Sequence, residues 1–234
     1  MLITGASRGI GLAISHRLAA QGDAVLGIAR SAPPVDFPGV RYRCDLSDME
    51  QTADLLTEVA QDHRVDAVVN NAGIALPEPL GEIALSNLQA VLDLNVRTAL
   101  QVTQAMVGGM RERGWGRIVN VTSRAVFGAR GRTSYTAAKS ALWGVTRTWA
   151  LELASEGVTV NAVAPGPVDT ELFRRSHPVG SEAEARAVES VPMRRVGRPD
   201  EVAAAVCFLL SEEASFVRSC CLSGLEDGIF AGRA

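Results

Sequence analysis

Tyr135 and Lys139 stand four residues apart in the run Ser134-Tyr135-Thr136-Ala137-Ala138-Lys139. On a helix that spacing puts a phenol and an ammonium on one face. A free tyrosine has a pKa of about 10, too high for efficient proton exchange near neutral pH. A nearby ammonium favours the phenolate and draws that pKa down, which suits a group that gives a proton to a carbonyl oxygen and takes it back. The same pair also occurs on the solvent face of an ordinary amphipathic helix, so it gains weight only beside other signals. One such signal is Thr4-Gly5-Ala6-Ser7-Arg8-Gly9-Ile10-Gly11, with glycines at 5, 9 and 11. Glycines so spaced allow a tight turn and let the backbone approach a pyrophosphate. They also aim a helix N-terminus at its negative charge.

Positioning these groups takes regularly alternating elements, and the sequence has them. Short apolar runs at residues 2–4, 24–29, 40–44, 67–70, 117–121 and 158–163 read as strands. Between them lie helical stretches at about 10–20, 48–62 (capped by Ser47), 86–94, 97–113 and 134–155, with a further helix at 199–210. In the long helix Ala138, Leu142, Val145, Trp149 and Leu153 recur at helical spacing and predict a buried stripe. The alternation predicts an α/β fold, a doubly wound, Rossmann-like parallel sheet with helices on both faces, in one domain. Ligands of such sheets bind beyond the carboxyl ends of the strands, where Gly5, Arg30, Asp45, Asn70, Ser123 and Pro165 fall.

Composition removes several classes of function. The 234 residues are 47% apolar, enough to cover a sheet on both faces. No apolar run is long enough to span a membrane, and the first residues show no basic n-region and no cleavage site, so no signal peptide is expected. Cys44, Cys207, Cys220 and Cys221 have neither zinc-site spacing nor a disulfide framework. No metal site is expected, and reduced thiols suit the cytoplasm. The formal charge of −3 comes from well-mixed signs, with no basic cluster for nucleic acid and no basic amphipathic helix for a membrane surface.

In order along the chain, residues 4–11, Asp45, residues 70–73, Asn95, Ser123, Tyr135 with Lys139, and Pro165-Gly166 with Thr170 resemble the short-chain dehydrogenase/reductase family. The resemblance covers about residues 1–217. It implies that Tyr135 is the catalytic acid/base, that Lys139 lowers its pKa and holds the nicotinamide ribose, and that Ser123 orients the substrate oxygen. It implies that Asn95 holds a water of a proton relay behind Lys139. On the cofactor side it implies Gly5, Ser7, Arg8, Gly9, Ile10 and Gly11 at the phosphates. It also implies Asp45 and Leu46 near adenine, Asn70, Ala72 and Gly73 beside the ribose, and Pro165, Gly166, Val168 and Thr170 around the carboxamide.

The activity so implied is hydride transfer between a nicotinamide dinucleotide and a secondary alcohol/ketone pair. Within that chemistry a 3-oxoacyl-thioester reductase is one alternative: Arg130, Arg132, Arg174 and Arg175 near the entrance would meet an acidic carrier protein, or simply form a solvated rim. A polyol, steroid or aromatic alcohol fits equally. The rival of another class is a dinucleotide-binding regulatory protein without turnover, against which the complete set Asn95, Ser123, Tyr135 and Lys139 argues. NADP(H) is favoured over NAD(H), because Ala29 stands where an acid would repel a 2′-phosphate and Arg30 follows it, with Arg8 nearby. Residues 171–190 match a substrate lid. The subunit is expected to form a homodimer through the helices at 86–113 and 134–155, or a homotetramer. From residue 218 the sequence departs from the family, and 222–225 shows no strand pattern.

Overall fold

Successive residues of a strand point to opposite faces of its sheet, and two separate cores follow from that rule. In the computed structural model, which describes residues 1–31 and 35–223, Leu2, Val68 and Ile118 face one core while their neighbours Ile3, Val69 and Val119 face the other. All six are essentially buried. The strands are β1 (Leu2–Thr4), β2 (Leu26–Ala29), β3 (Val40–Arg43), β4 (Ala67–Asn70), β5 (Gly116–Val121), β6 (Val158–Ala164) and β7 (Cys221–Ser223). They form one sheet in the order β3-β2-β1-β4-β5-β6-β7, with every pairing parallel. The order reverses beside β1, and the crevice for a ligand opens between the ends of β1 and β4.

Helices α1 (Gly9–Ala20) and α8 (Pro199–Leu210) cover the first face, where Ile14, Leu18, Val206 and Leu209 are buried. On the second face lie α2 (Met49–Asp62), α4 (Thr98–Arg113) and α5 (Thr133–Leu153), which bring Leu56, Val102, Met106 and Leu153 to the core. Each such side chain contributes about 1.5–3 kcal/mol by leaving water. The stripe of α5 differs in part from expectation. Ala138, Leu142 and Leu153 are buried with Thr146 and Ala150, whereas Val145 and Trp149 are only half-buried.

Three further differences have local causes. Helix α2 is capped by Asp48, whose carboxylate accepts from the Gln51 amide at 3.0 Å. Ser47 instead bonds Asp45, its hydroxyl 2.6 Å from Oδ1. The two helices expected at 86–94 and 97–113 are not separated. Helix α3 (Leu85–Leu92) runs through a π-turn, Asp93–Arg97, straight into α4, and the Thr98 amide bonds the Asp93 carbonyl five residues back. Finally, β7 forms without an alternating pattern, because backbone pairing needs none. The Ala162 amide bonds the Cys220 carbonyl, and Asn161 ties the incoming chain by bonds to Val217 and Cys220. Leu225, named in the sequence expectation, lies outside the described residues.

Polar residues also cross the second core. Asn70 Nδ2 donates to Thr103 Oγ1 at 3.0 Å and to Asn120 Oδ1 at 2.8 Å. Asn120 Nδ2 in turn donates to Thr146 Oγ1 at 2.8 Å. This buried ladder joins α4, β4, β5 and α5. Breaking one member leaves buried donors without partners, which costs about 1–3 kcal/mol each. Asn120→Leu is expected to destabilise the fold by about 2–5 kcal/mol. The Asn70→Leu/Asn120→Leu pair should cost less than the sum of the two single changes, because it removes an orphaned amide. Urea midpoints of the three variants measure this, and strict additivity would show that the ladder is not a unit.

Candidate active site

The turn after β1 is held from the neighbouring strand end. Thr4 Oγ1 accepts from the amides of Asn71 and Ala72, both at 3.0 Å, and Asn71 Nδ2 donates to the Thr4 carbonyl at 2.9 Å. The first turn of α1 packs so closely on this loop that a Cβ at Gly11 would sit 2.3 Å from the Gly5 carbonyl oxygen. Thr170, arriving from the far side of β6, rests on Gly9, with its Cγ2 3.2 Å from where a Cβ would stand. The result is a bare backbone cradle at a helix N-terminus, the shape and polarity a pyrophosphate needs. Ser7 meets Ser31 at 3.1 Å between their hydroxyls. At the ends of β2 and β3 the exposed Arg30 lies 3.8 Å from the Asp45 carboxylate. The Ser47 hydroxyl, more than the distant Arg30, holds the Asp45 carboxyl below its ordinary range.

Beyond the ends of β4, β5 and β6 a cleft of about 670 Å³ opens, lined by Ser123, Tyr135, Lys139, Asn95 and Gly73 among others. Tyr135 is the third residue of α5, and Ser123 ends the extended segment after β5. The Ser123 hydroxyl accepts from the Ala125 amide at 3.1 Å and lines the cleft with the Tyr135 phenol, near enough to pull its pKa down against burial. Lys139 is buried, and its Nζ donates to the Val121 carbonyl at 2.8 Å, 5.7 Å from the centre of the Tyr135 ring. Burial lowers the Lys139 pKa to about 8.

The expected lowering of the Tyr135 pKa by Lys139 is not what this arrangement produces. Burial raises the phenol above its ordinary value, and the groups that work against burial are Ser123 and Arg132. Asn95 sits inside the π-turn, with Nδ2 bonded to the carbonyls of Val91 at 2.8 Å and Ile74 at 3.0 Å. Its Oδ1 is buried, lacks a hydrogen-bond partner, and faces Gly73: a Cβ there would come within 2.4 Å of it. Lys139 Nζ lies 3.4 Å from the same point. A buried orphan acceptor beside a buried ammonium leaves room and need for a polar bridge.

Of the residues singled out from sequence, Ile10, Gly73, Pro165, Gly166, Val168 and Thr170 line this cleft. Asn70 does not: its side chain is spent in the buried ladder, and the side chain that faces the cleft from that turn is Asn71. Ala72 has committed its amide to Thr4, and the buried Leu46 has committed its carbonyl to Arg97 and Thr98. Gly5, Ser7, Arg8, Gly9, Gly11, Arg30 and Asp45 gather at the adjoining ends of β1 to β3. The Asn71 role was legible only as part of Asn70-Asn71-Ala72-Gly73, where either asparagine suits a turn.

Residues 171–190 fold into two short helices, α6 (Glu171–Arg174) and α7 (Glu182–Glu189), laced by ion pairs. Arg174 bonds Asp169 at 2.6 Å and also Glu184; Glu171 holds both Arg175 and Arg8, at 2.9 and 2.8 Å. Arg8 is therefore engaged with this segment, not aimed at the end of β2. Of the four arginines expected at the entrance, Arg130 and Arg132 line the cleft, while Arg174 and Arg175 are matched with acids outside its lining. Among the described residues no helix is long and apolar enough to cross a membrane, and no cluster of His, Cys, Asp and Glu could hold a metal.

Comparison with known proteins agrees with this geometry. Residues 5–223 match the family described as enoyl-(acyl carrier protein) reductase. Nodulation protein G of Azospirillum brasilense is 37% identical over 92% of this chain and 92% of its own length. A 3-oxoacyl-(acyl-carrier-protein) reductase of Thermotoga maritima is 36% identical, again over 92% of each chain. A crystal structure from Beutenbergia cavernae, described as an NAD(P)-dependent gluconate 5-dehydrogenase with NADP at low occupancy, superposes with a TM-score of 0.88. It is 36% identical and covers 95% of this chain and 94% of its own.

The buried ammonium makes stability depend on pH. Lys139 has a folded pKa of about 8, below the ordinary lysine value of 10.5. Below pH 8 the amine is charged in both states, and the cost of burying it is fully present. Between the two values the unfolded chain binds more protons, so stability rises with pH. Lys139→Met removes this slope. The stability advantage of the Met variant is expected to shrink from pH 7 to pH 10 by up to about 3 kcal/mol. A pH-independent difference in unfolding free energy would show that the ammonium keeps its hydration.

Proposed function

The chain belongs to the short-chain dehydrogenase/reductase family, and on that premise we propose how its own residues move a hydride between a nicotinamide dinucleotide and a secondary alcohol/ketone pair. The observation that carries the reading is that Ser123, the Tyr135 phenol and a buried Lys139 line one cleft, with the ammonium 5.7 Å from the centre of the phenol ring. When bound, the dinucleotide supplies or accepts the hydride at its nicotinamide ring. The cradle of Gly5, Ser7, Gly9, Ile10 and Gly11 suits its pyrophosphate, because its glycines present bare backbone at a helix N-terminus. Lys139 has three donors and one bond, so two remain for ribose hydroxyls and for the bridge to Asn95 Oδ1.

In this scheme Ser123 donates to the carbonyl oxygen and fixes its position. Tyr135 gives its proton to that oxygen as the carbon is reduced, and takes it back in the reverse direction. Burial raises the phenol pKa, which keeps the proton on the oxygen until charge develops on the substrate. The proton is then replaced from water along Lys139 and the group held by Asn95. Pro165, Gly166, Val168 and Thr170 shape the wall against which the carboxamide lies, and the segment 171–190 closes over the substrate as a lid. A regulatory binder would need none of the proton-handling groups. A cytoplasmic location fits the free thiols of Cys44, Cys207, Cys220 and Cys221; fractionation with a secreted pool would contradict it.

Tyr135→Phe is expected to preserve folding and dinucleotide binding and to lower turnover by about 10²–10⁴-fold. The assay is absorbance of the reduced nicotinamide on a panel of ketones and alcohols. Turnover within a few-fold of the parent would remove Tyr135 from the mechanism.

NADP(H) is the preferred dinucleotide, and Arg30 is its discriminating residue in this proposal. A 2′-phosphate must draw Arg30 from Asp45, a loose and exposed pair that offers little resistance. A charge-assisted bond contributes about 1.5–3 kcal/mol. Arg30→Ala should therefore reduce the NADP(H)/NAD(H) ratio of kcat/KM by about ten- to hundred-fold. An unchanged ratio would place the selectivity elsewhere.

The outer faces of α4 and α5 suit a homodimer. Leu100 and Leu151 are exposed there, and Gly108 and Gly144 have open space where a side chain would point. Light scattering of the parent is expected to give a dimer or a tetramer built from it, and Gly144→Arg to give smaller species. A monomeric parent at micromolar concentration would contradict the assignment.

A further inference from the structure

Arg130 and Arg132 line the cleft wall beside the phenol together with Lys139, and among the described residues no Asp or Glu lines it. Elsewhere on this side of the molecule arginines are neutralised: Arg8 and Arg175 by Glu171, Arg174 by Asp169 and Glu184. Arg132 is different. It is half-buried, and its one side-chain hydrogen bond goes to a neutral acceptor, Ser176 Oγ at 3.1 Å. The backbone of Glu78 runs beside that of Arg132, yet the Glu78 carboxylate turns to the Ala84 amide and the Asn87 side chain. A guanidinium has five donors in a rigid planar fork that fits a carboxylate through two parallel bonds. With a single neutral acceptor, most of this fork's donors stay available to an anion that enters the cleft.

The position of Arg132 limits where that anion sits. It is the N-cap of α5, three residues before Tyr135, and both residues line the same cleft. The phenol senses its charge. Helix α5 also begins without a side-chain cap, adding the positive end of a helix to the same wall. An anion bound here lies close to the carbonyl held by Ser123 and Tyr135.

We propose that Arg132 binds a carboxylate carried by the substrate itself, so that the protein reduces an oxo acid, or oxidises the matching hydroxy acid, in preference to a neutral ketone. This rests on the hydride-transfer reading above and narrows its substrate class. A carrier-bound 3-oxoacyl thioester fits less well, because its only phosphate lies at the far end of a long flexible arm, away from Tyr135. Ser176 comes from the segment between α6 and α7, so the same bond joins lid to anion site when the carboxylate arrives. The reaction balances in the ordinary way: hydride from the reduced dinucleotide to the carbonyl carbon, proton from Tyr135 to its oxygen, and the carboxylate unchanged.

The test uses the NADP-loaded protein, its Arg132→Gln and Arg132→Lys variants, and matched ligands: a 2-oxo, a 3-oxo and a 4-oxo acid, each beside its methyl ester. Calorimetry reads binding without requiring turnover. At least one acid is expected to bind about ten- to hundred-fold more tightly than its ester. Arg132→Gln should abolish that preference and leave ester binding within a few-fold, while Arg132→Lys keeps part of it. The kcat/KM values should follow the same pattern. Equal binding of acids and esters, or equal loss for both in Arg132→Gln, overturns the proposal. So does an Arg132-dependent preference for a phosphopantetheine thioester over every acid. Turnover of neutral ketones that depends on Tyr135 but shows no acid preference would leave the hydride-transfer reading standing and remove this one. Arg132-dependent acid binding without any turnover would do the reverse.

Discussion

An ammonium held out of water beside a phenol is the constraint on which the rest of this structure turns. Lys139 can be buried only because the last carbonyl of β5, that of Val121, accepts one of its protons. That bond fixes how far α5 slides along the sheet, and with it the height of Tyr135 above the strand ends. The remaining donors face the cleft and need acceptors there. Asn95 supplies an oxygen there, and Gly73 supplies room, since any side chain at 73 would meet that oxygen first. Four elements far apart in sequence are therefore committed to one small volume by a single unsatisfied charge.

The scaffold around that charge is stiffened by a second polar device. Parallel strands buried on both faces are expected to be continuously apolar. Here β4 ends in Asn70 and β5 carries Asn120 one residue before its end, and those two asparagines bond each other and reach helices on the same face. The ladder orients α4 against α5, whose outer faces are the ones offered for self-association. Its buried position explains why Asn70 contributes structure where Asn71, one residue further and turned to the opposite side, contributes to the cleft.

Much of this was legible in the sequence, for a physical reason. Strand and helix periods differ, so six strands and most of the helices announce themselves within a few residues of their ends. Tyr135, Lys139 and the glycines at 5, 9 and 11 were legible because their chemistry depends on spacing along one element. What escaped depends on meetings between elements. The bonds from Thr4 to Asn71 and Ala72 span more than sixty positions. The capture of Arg8 by Glu171 joins residues 163 apart, and no local pattern signals it. Strand β7 escaped for the opposite reason: its backbone pairs without asking anything of its side chains. The choice of Asp48 over Ser47 as the cap of α2 lies within the usual uncertainty of helix ends, decided by Ser47 having a better partner in Asp45.

The π-turn at Asp93–Arg97 has a consequence for how such a chain can vary in length. It is a helix with one residue more than its hydrogen-bond ladder needs, and that surplus is what lets Asn95 look across at Lys139. Removing one residue there would restore an ordinary α-helix and a smoother backbone. It would also turn every side chain on one flank relative to the other by about 100°. The protein would lose nothing in helical content, but Asn95 Oδ1 would no longer face Gly73 and Lys139. Insertions and deletions should thus be tolerated in the connections around α7 and refused within this turn.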